Sequence, residues 1–200
     1  GVVAVWKTAT GEELRRREVG GYVTSVAVSP DGRTALLGAG RVVVAVDLLS
    51  GSEIHRFEGH TANVTAVAFD ASNLTAVSGD DAGWVRVWNL RTGQPAAQRA
   101  MHDGPVRTVA VRADRWALSA GSDRTVKLWE VRSATEPAVF RRHGAPVISA
   151  AFLANGTQTV SADRALGVFP WSIERFVTAT PPVAPPLPPV VPDRIPPARP

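Results

Sequence analysis

Cysteine is absent from the chain, which excludes disulfides, thiolate nucleophiles and cysteine-ligated metals. That absence fits a reducing compartment and favours the cytoplasm. No apolar run approaches the ~18 residues of a membrane-spanning helix, so no membrane segment is expected in this stretch. No signal-peptide pattern is visible; the chain opens at Gly1 inside a strand-like pattern, and its natural start is expected upstream. Aromatic residues make up only 6% and do not alternate with basic ones, which speaks against a stacking surface for nucleic acid. The phosphate-cradling motifs GxxxxGK[ST] and GxGxxG are missing too.

Excess charge of one sign is scarce as well. A pI near 10.5 suggests a polyanionic partner, yet 18 acidic residues are dispersed among 22 basic ones. The tight basic runs, Arg15-Arg16-Arg17 and Arg141-Arg142, fall where outer strands are expected, and charge there blunts an exposed sheet edge. No specific nucleic-acid partner is therefore expected.

What the chain has in abundance is repetition. One six-residue pattern occurs at Val23 to Val28, Val64 to Phe69, Val106 to Val111 and Val147 to Phe152, with first valines 41, 42 and 41 residues apart. A second apolar pattern keeps step with it: Val2 to Trp6, Val43 to Asp47, Val85 to Asn89, Val126 to Glu130 and the degraded Leu166 to Pro170. A period of about 40–45 residues with short strands between Gly, Pro, Asn and Asp turns predicts an all-β propeller of four-stranded antiparallel blades. About four and a half blades are expected: a partial blade over 1–19, then repeats over about 20–58, 59–100, 101–142 and 143–178. In the last repeat, strands are expected at Thr157 to Val160 and Leu166 to Phe169, with an outer strand in Ile173 to Val177. Each blade has two apolar faces that only neighbouring blades can cover, so the 200 residues are expected to be part of a longer protein.

The chain resembles the WD-repeat β-propellers. The likeness rests on Gly59-His60, on Trp88-Asn89 and Trp129-Glu130 as variants of the Trp-Asp pair, and on Ser122-Asp123-Arg124-Thr125; it spans roughly residues 2 to 178. The resemblance implies a hydrogen-bonded His, Ser, Asp and Trp tetrad inside each blade. His102, Ser119, Asp123 and Trp129 supply the whole set. The preceding repeat offers His60, Ser78 and Trp88, with Ala82 in the Asp register and Asp81 one place early. The last repeat offers His143, Ser161 and Asp163, with Thr159 as the alternative hydroxyl and Phe169 in the Trp register. Ser, His and Asp together also suit nucleophilic catalysis, but His60, His102 and His143 recur four residues before each inner strand. A fastener recurs once per blade and a catalytic residue does not. No catalytic residue, metal or cofactor is therefore expected.

Function is expected in the loops. In WD-repeat proteins partners commonly dock on the loops that lead into the inner strand and those between the second and third strands. Carried over by position, these residues are Asn63, Thr65, Asp80, Asp81, Trp84, Asp103, Arg107, Ser122, Arg124 and Ala145. Trp84 stands where Thr125 stands in the next repeat, so an exposed interface anchor is expected there. Trp116 is expected to pack against a neighbouring blade. From residue 179 to 200 the chain becomes a Pro-rich linker or tail, either a semi-rigid spacer or, through its PxxP spacings, a ligand for an aromatic groove. The expected function is a non-enzymatic scaffold binding a protein or peptide. The alternatives are a regulatory or sensing module of a larger bacterial signalling protein and a propeller enzyme, the latter disfavoured by inner strands rich in Val, Ala, Thr and Ser.

Overall fold

The computed structural model describes residues 1–112, 115–133 and 135–177, and these form seventeen strands and one helical turn. A two-stranded sheet, β1 (Val2–Lys7) with β2 (Glu12–Glu18), comes first. Three four-stranded sheets follow: β3 (Val23–Val28), β4 (Thr34–Ala39), β5 (Val42–Asp47) and β6 (Glu53–Phe57); β7 (Val64–Phe69), β8 (Thr75–Asp80), β9 (Trp84–Asn89) and β10 (Gln94–Ala100); β11 (Val106–Arg112), β12 (Trp116–Gly121), β13 (Val126–Glu130) and β14 (Ala138–Phe140). The fifth sheet has three strands, β15 (Val147–Phe152), β16 (Gln158–Asp163) and β17 (Val168–Ser172), then the helical turn α1 (Glu174–Val177).

All pairings are antiparallel and follow chain order, so each sheet is a meander. Sheets two to five pack face to face through their inner strands β3, β7, β11 and β15. This is the fanned arrangement of propeller blades. The core therefore lies in the seams. Val64 and Val67 of the third sheet pack with Leu36, Val43 and Phe57 of the second; Val106 and Val109 pack with Val77, Val85 and Val87; Val147 and Ala150 pack with Leu118, Ala120 and Val126. The valines that open each hexamer are the keys of these seams, which is why the pattern repeats. The Arg15–Arg17 run lies on β2, where the Arg15 and Arg17 guanidinium groups donate to the Leu49 and Gly51 carbonyls of the neighbouring sheet.

The fifth sheet departs from the expectation in two places. Its third strand is Val168–Ser172 instead of Leu166 to Phe169: the hairpin, in which Asp163 accepts the N–H groups of Ala165 and Gly167, spans the same interval as the one Asp80 caps, and Ala162 pairs with Val168 as Gly79 pairs with Val85. The expected outer strand in Ile173 to Val177 is replaced by α1. Ile173 is fully buried, and its carbonyl accepts the N–H groups of Phe176 and Val177, winding the chain back over Phe140. Trp116 is half-buried against the fourth seam, with Arg115 over its ring. The Pro-rich segment 179–200 lies outside the described residues.

Candidate interaction surface

At one end of each of the last three sheets, the loop leading into the inner strand is tied to the turn between second and third strands. The Asp81 N–H donates to the Asn63 carbonyl, Ser122 N–H to Pro105 and Arg164 N–H to Pro146. Beneath each tie lies a buried imidazole.

In the third sheet, His60 Nδ1 is 2.7 Å from Asp80 Oδ2 and Nε2 is 2.6 Å from Ser78 Oγ, while the Trp88 indole N–H donates to the same Oγ over 2.8 Å. The directions are forced. The carboxylate accepts from Nδ1–H, so Nε2 of a neutral ring accepts the Ser78 hydroxyl, whose oxygen is left to accept from Trp88. Burial pushes the His60 imidazole below its ordinary value, against the opposing pull of Asp80. The fifth sheet repeats the chain: His143 Nδ1 to Asp163 Oδ2 2.9 Å, Nε2 to Ser161 Oγ 2.6 Å, and Trp171 Nε1 to Ser161 Oγ 2.6 Å.

The fourth sheet differs. His102 Nδ1 lies 3.0 Å from both Asp123 oxygens and Nε2 2.9 Å from Ser119 Oγ. Thr125 Oγ1 donates to Asp123 over 2.9 Å. The Trp129 indole N–H, however, is buried without a partner. Burial of Asp123 opposes ionisation, but the His102 hydrogen bond and charge, with the Thr125 N–H, hold its carboxyl down to about 2.

Three expectations are corrected. Asp80, expected to contact a partner, is 1% exposed and belongs to the buried network in place of Ala82 or Asp81. Trp171, not Phe169, occupies the Trp register, opposite Thr159 as Trp88 lies opposite Ala76. The alternative hydroxyl Thr159 is buried and unpaired, so Ser161 carries the network alone. The missed residues were countable. Each Trp lies ten residues after its Ser (78 to 88, 119 to 129, 161 to 171), and Ser78-x-Asp80 repeats Ser161-x-Asp163. Asp123 reaches the same Nδ1 from two residues further along, and Gly121 vacates the strand position: a Cβ there would lie 3.0 Å from the His102 ring.

Of the remaining loop residues, Asn63, Asp81, Trp84, Asp103, Arg107 and Arg124 are exposed, and Thr65, Ser122 and Ala145 are half-buried. Arg107 Nε donates to Ser122 Oγ over 3.0 Å. Arg124 holds a φ of 66°, which aims it outward from the hairpin. Trp84, 37% exposed, opens β9 and borders a shallow pocket of about 400 Å3 with Lys127, Glu136 and Pro137, which the sequence did not single out. The surface is thus mixed in charge around one large aromatic. Among the described residues no group of three or more His, Cys, Asp or Glu side chains converges as a metal site, and no helix is long and apolar enough to cross a membrane.

Comparison with known proteins places this geometry. A family model described as "WD domain, G-beta repeat" matches residues 51–89 and 93–130. The chain is 31% identical over 132 residues to the LEC14B protein of Lithospermum erythrorhizon, covering 61% of this chain and 28% of that protein. It is also 31% identical over 132 residues to a guanine nucleotide-binding protein subunit beta of Oryza sativa subsp. japonica, covering 61% of this chain and 35% of that one. The chain thus spans about a third or less of the length of these relatives. The solved structure of U3-55K superposes with a TM-score of 0.79 at 21% identity, covering 86% of this chain and 55% of that one, a likeness of fold.

Proposed function

We propose that this chain, whose residues 51–89 and 93–130 match the WD-repeat model and whose fold is that of a WD-repeat propeller, is a non-enzymatic scaffold that binds a protein or peptide on its loop face. Exposed Trp84 carries this reading: a large aromatic that opens β9, beside Lys127 and Glu136 and at the same end of the sheets as exposed Asp81, Asp103, Arg107 and Arg124, has the composition of an interface anchor with a polar rim. The buried networks support the non-enzymatic part. Ser78, Ser119 and Ser161, whose hydroxyls are bonded to histidines as a nucleophile's would be, are closed off from solvent and so from a substrate.

The test is affinity capture on the full chain, with Trp84→Ala and Arg124→Ala beside wild type and the captured proteins quantified individually. At least one partner should be lost from both variants. Equal recovery of every partner would sink the loop-face reading.

A further inference from the structure

The seams of this molecule are not closed alike, and the odd one carries a second site. Three outer-strand residues share one register: Phe57 opposite Val43, Arg99 opposite Val85 and Phe140 opposite Val126. Phe57 lies on Trp88 of the next sheet with ring centroids 5.3 Å apart, and Phe140 lies on Trp171 at 5.1 Å. The second seam and the fourth are therefore sealed by an aromatic pair.

Between the third and fourth sheets that pair is missing. Arg99 stands in the Phe register, and two residues earlier in the strand Ala97 stands in the register of His55. In the second sheet the His55 ring fills its seam, lying so near Gly93 that a Cβ there would sit 2.9 Å from Nδ1. Ala97 packs on the core of its own seam but is too small to fill the space that His55 takes. The result is a groove of about 940 Å3 between β10 and the turn Val131–Ser133.

The lining is half apolar and otherwise basic. Leu74, Ala97 and Val131 form its floor, Arg91, Arg99 and Arg132 its polar wall, and no carboxylate lines it among the described residues. Arg99 is fixed, donating to the Ser133 carbonyl and, over 2.8 Å, to the Thr135 carbonyl. The guanidinium groups of Arg91 and Arg132 have no ion-pair partner among the described residues, and both residues are exposed. Since Thr75 pairs with Asn89 and Trp116 with Glu130, the Leu74, Arg91 and Arg132 end of the groove is opposite the loops that hold Asp81, Trp84 and Arg124, while Arg99, opposite Val85, reaches the pocket beside Trp84.

We propose that this groove is a second docking site, taking an extended acidic peptide whose carboxylates face Arg91 and Arg132 while an apolar side chain enters above Ala97. Guanidinium forks match carboxylates in geometry as well as charge, and the two of Arg91 and Arg132 beside an unfilled apolar seam select a segment that carries both features. The free edge of β10 lies along the rim and offers backbone groups to an extended segment.

The probe is a fluorescein-labelled decapeptide with two leucines among glutamates, beside the same peptide with glutamine for every glutamate, titrated by anisotropy into the full chain. The glutamate peptide should bind at least about tenfold more tightly than the glutamine peptide, with an affinity that falls as salt rises. The pair Arg91→Glu and Arg132→Glu should weaken binding by about tenfold or more. The charge-matched pair Arg107→Glu and Arg124→Glu on the opposite face should leave it within about twofold. Arg99→Phe restores the seal and should abolish binding while raising the melting temperature. Equal loss in the two double variants, unaltered binding in Arg99→Phe, or tighter binding of a single-stranded oligonucleotide than of the peptide would overturn the proposal. Because Arg99 also lines the pocket beside Trp84, failure of the groove is read with Arg91→Glu and Arg132→Glu, and failure of the loop face with Trp84→Ala.

Discussion

At the residue scale, the three imidazole networks are the same device set to different completeness. In the third and fifth sheets the serine oxygen takes an indole N–H, and its own proton is committed to the histidine. Removing Ser78 leaves the Trp88 N–H and His60 Nε2 buried and unpaired, at about 1–3 kcal/mol for each orphaned group. Removing Ser119 orphans His102 only, because Trp129 makes no such bond already. Ser78→Ala is thus expected to lower stability more than Ser119→Ala, read as urea midpoints at equal m-value. The pH dependence follows from the same wiring. His60 is held neutral, so its folded pKa lies below that of the unfolded chain, near 6.5. The unfolded chain then binds more protons, and stability drops as pH falls below about 6.5. Asp123 has the second window: its carboxyl is held at about 2 against about 3.9 in the unfolded chain, so the stability it contributes is present above the unfolded value and lost as pH falls toward 2. Urea midpoints between pH 7.5 and 5.5 should decline in wild type and decline less in His60→Ala. A flat wild-type profile would contradict the neutral assignment.

At the scale of elements, the inner strands explain both what was readable and what was not. Each of the four has a register shift after its first valine, at Thr24, Thr65, Arg107 and Ile148. A bulge re-aims one side chain, and here it makes a latch: Thr24 Oγ1 lies 2.5 Å from the Val64 carbonyl and Thr65 Oγ1 2.6 Å from that of Val106, each on the next sheet. Behind the latches sit Gly38 and Gly79; a Cβ on Gly38 would meet Val64 Cγ1 at 2.9 Å, and one on Gly79 would meet Val106 closer still. Gly79→Ala is expected to overfill its seam, at about 1–3 kcal/mol, whereas Thr65→Val loses about 1 kcal/mol of latch. Both should raise hydrogen exchange across β7 and β11, measured against Arg124→Ala. The strands, their order and their period were legible because valines, turns and histidines recur in sequence. The glycines and threonines recur too, but their meaning is a contact with a valine on the next sheet, far along the chain, which no local pattern encodes. In the fifth sheet the apolar run Leu166 to Pro170 suggests a strand two places too early; counted from Ser161 at the interval that separates Ser78 from Trp88, the strand is Val168–Ser172 and Trp171 takes the Trp register. An acidic residue beside a turn reads as surface, so the place of Asp80 in the buried network is not legible from its neighbours in sequence.

At the scale of the whole molecule, the described residues form a stack of seams that leaves apolar side chains open on two faces. Residues that face a neighbour inside it are buried: Val64, Val106 and Val147 have no exposure at all. On the inner strand of the second sheet, by contrast, Val26 is 60% exposed, and on the fifth sheet Ile148 and Val168 are 45% and 62% exposed. Trp6 on the first sheet adds 53%. These positions have the chemistry of seam residues without a seam. Exposed apolar area gathered on two flat, rigid faces drives association by the same burial that joins the sheets, about 25 cal/mol per Å2. The 200-residue chain is therefore expected to self-associate in a concentration-dependent way, with sedimentation velocity showing growth beyond monomer as loading increases. Val26→Lys with Ile148→Lys places a charge on each end face and should return the chain to monomer without lowering its urea midpoint, since neither side chain is buried in the monomer. A wild-type chain that stays monomeric at every concentration would show that these faces are too interrupted by polar atoms to drive association, and the end sheets would then have to be stable with their apolar side chains in water.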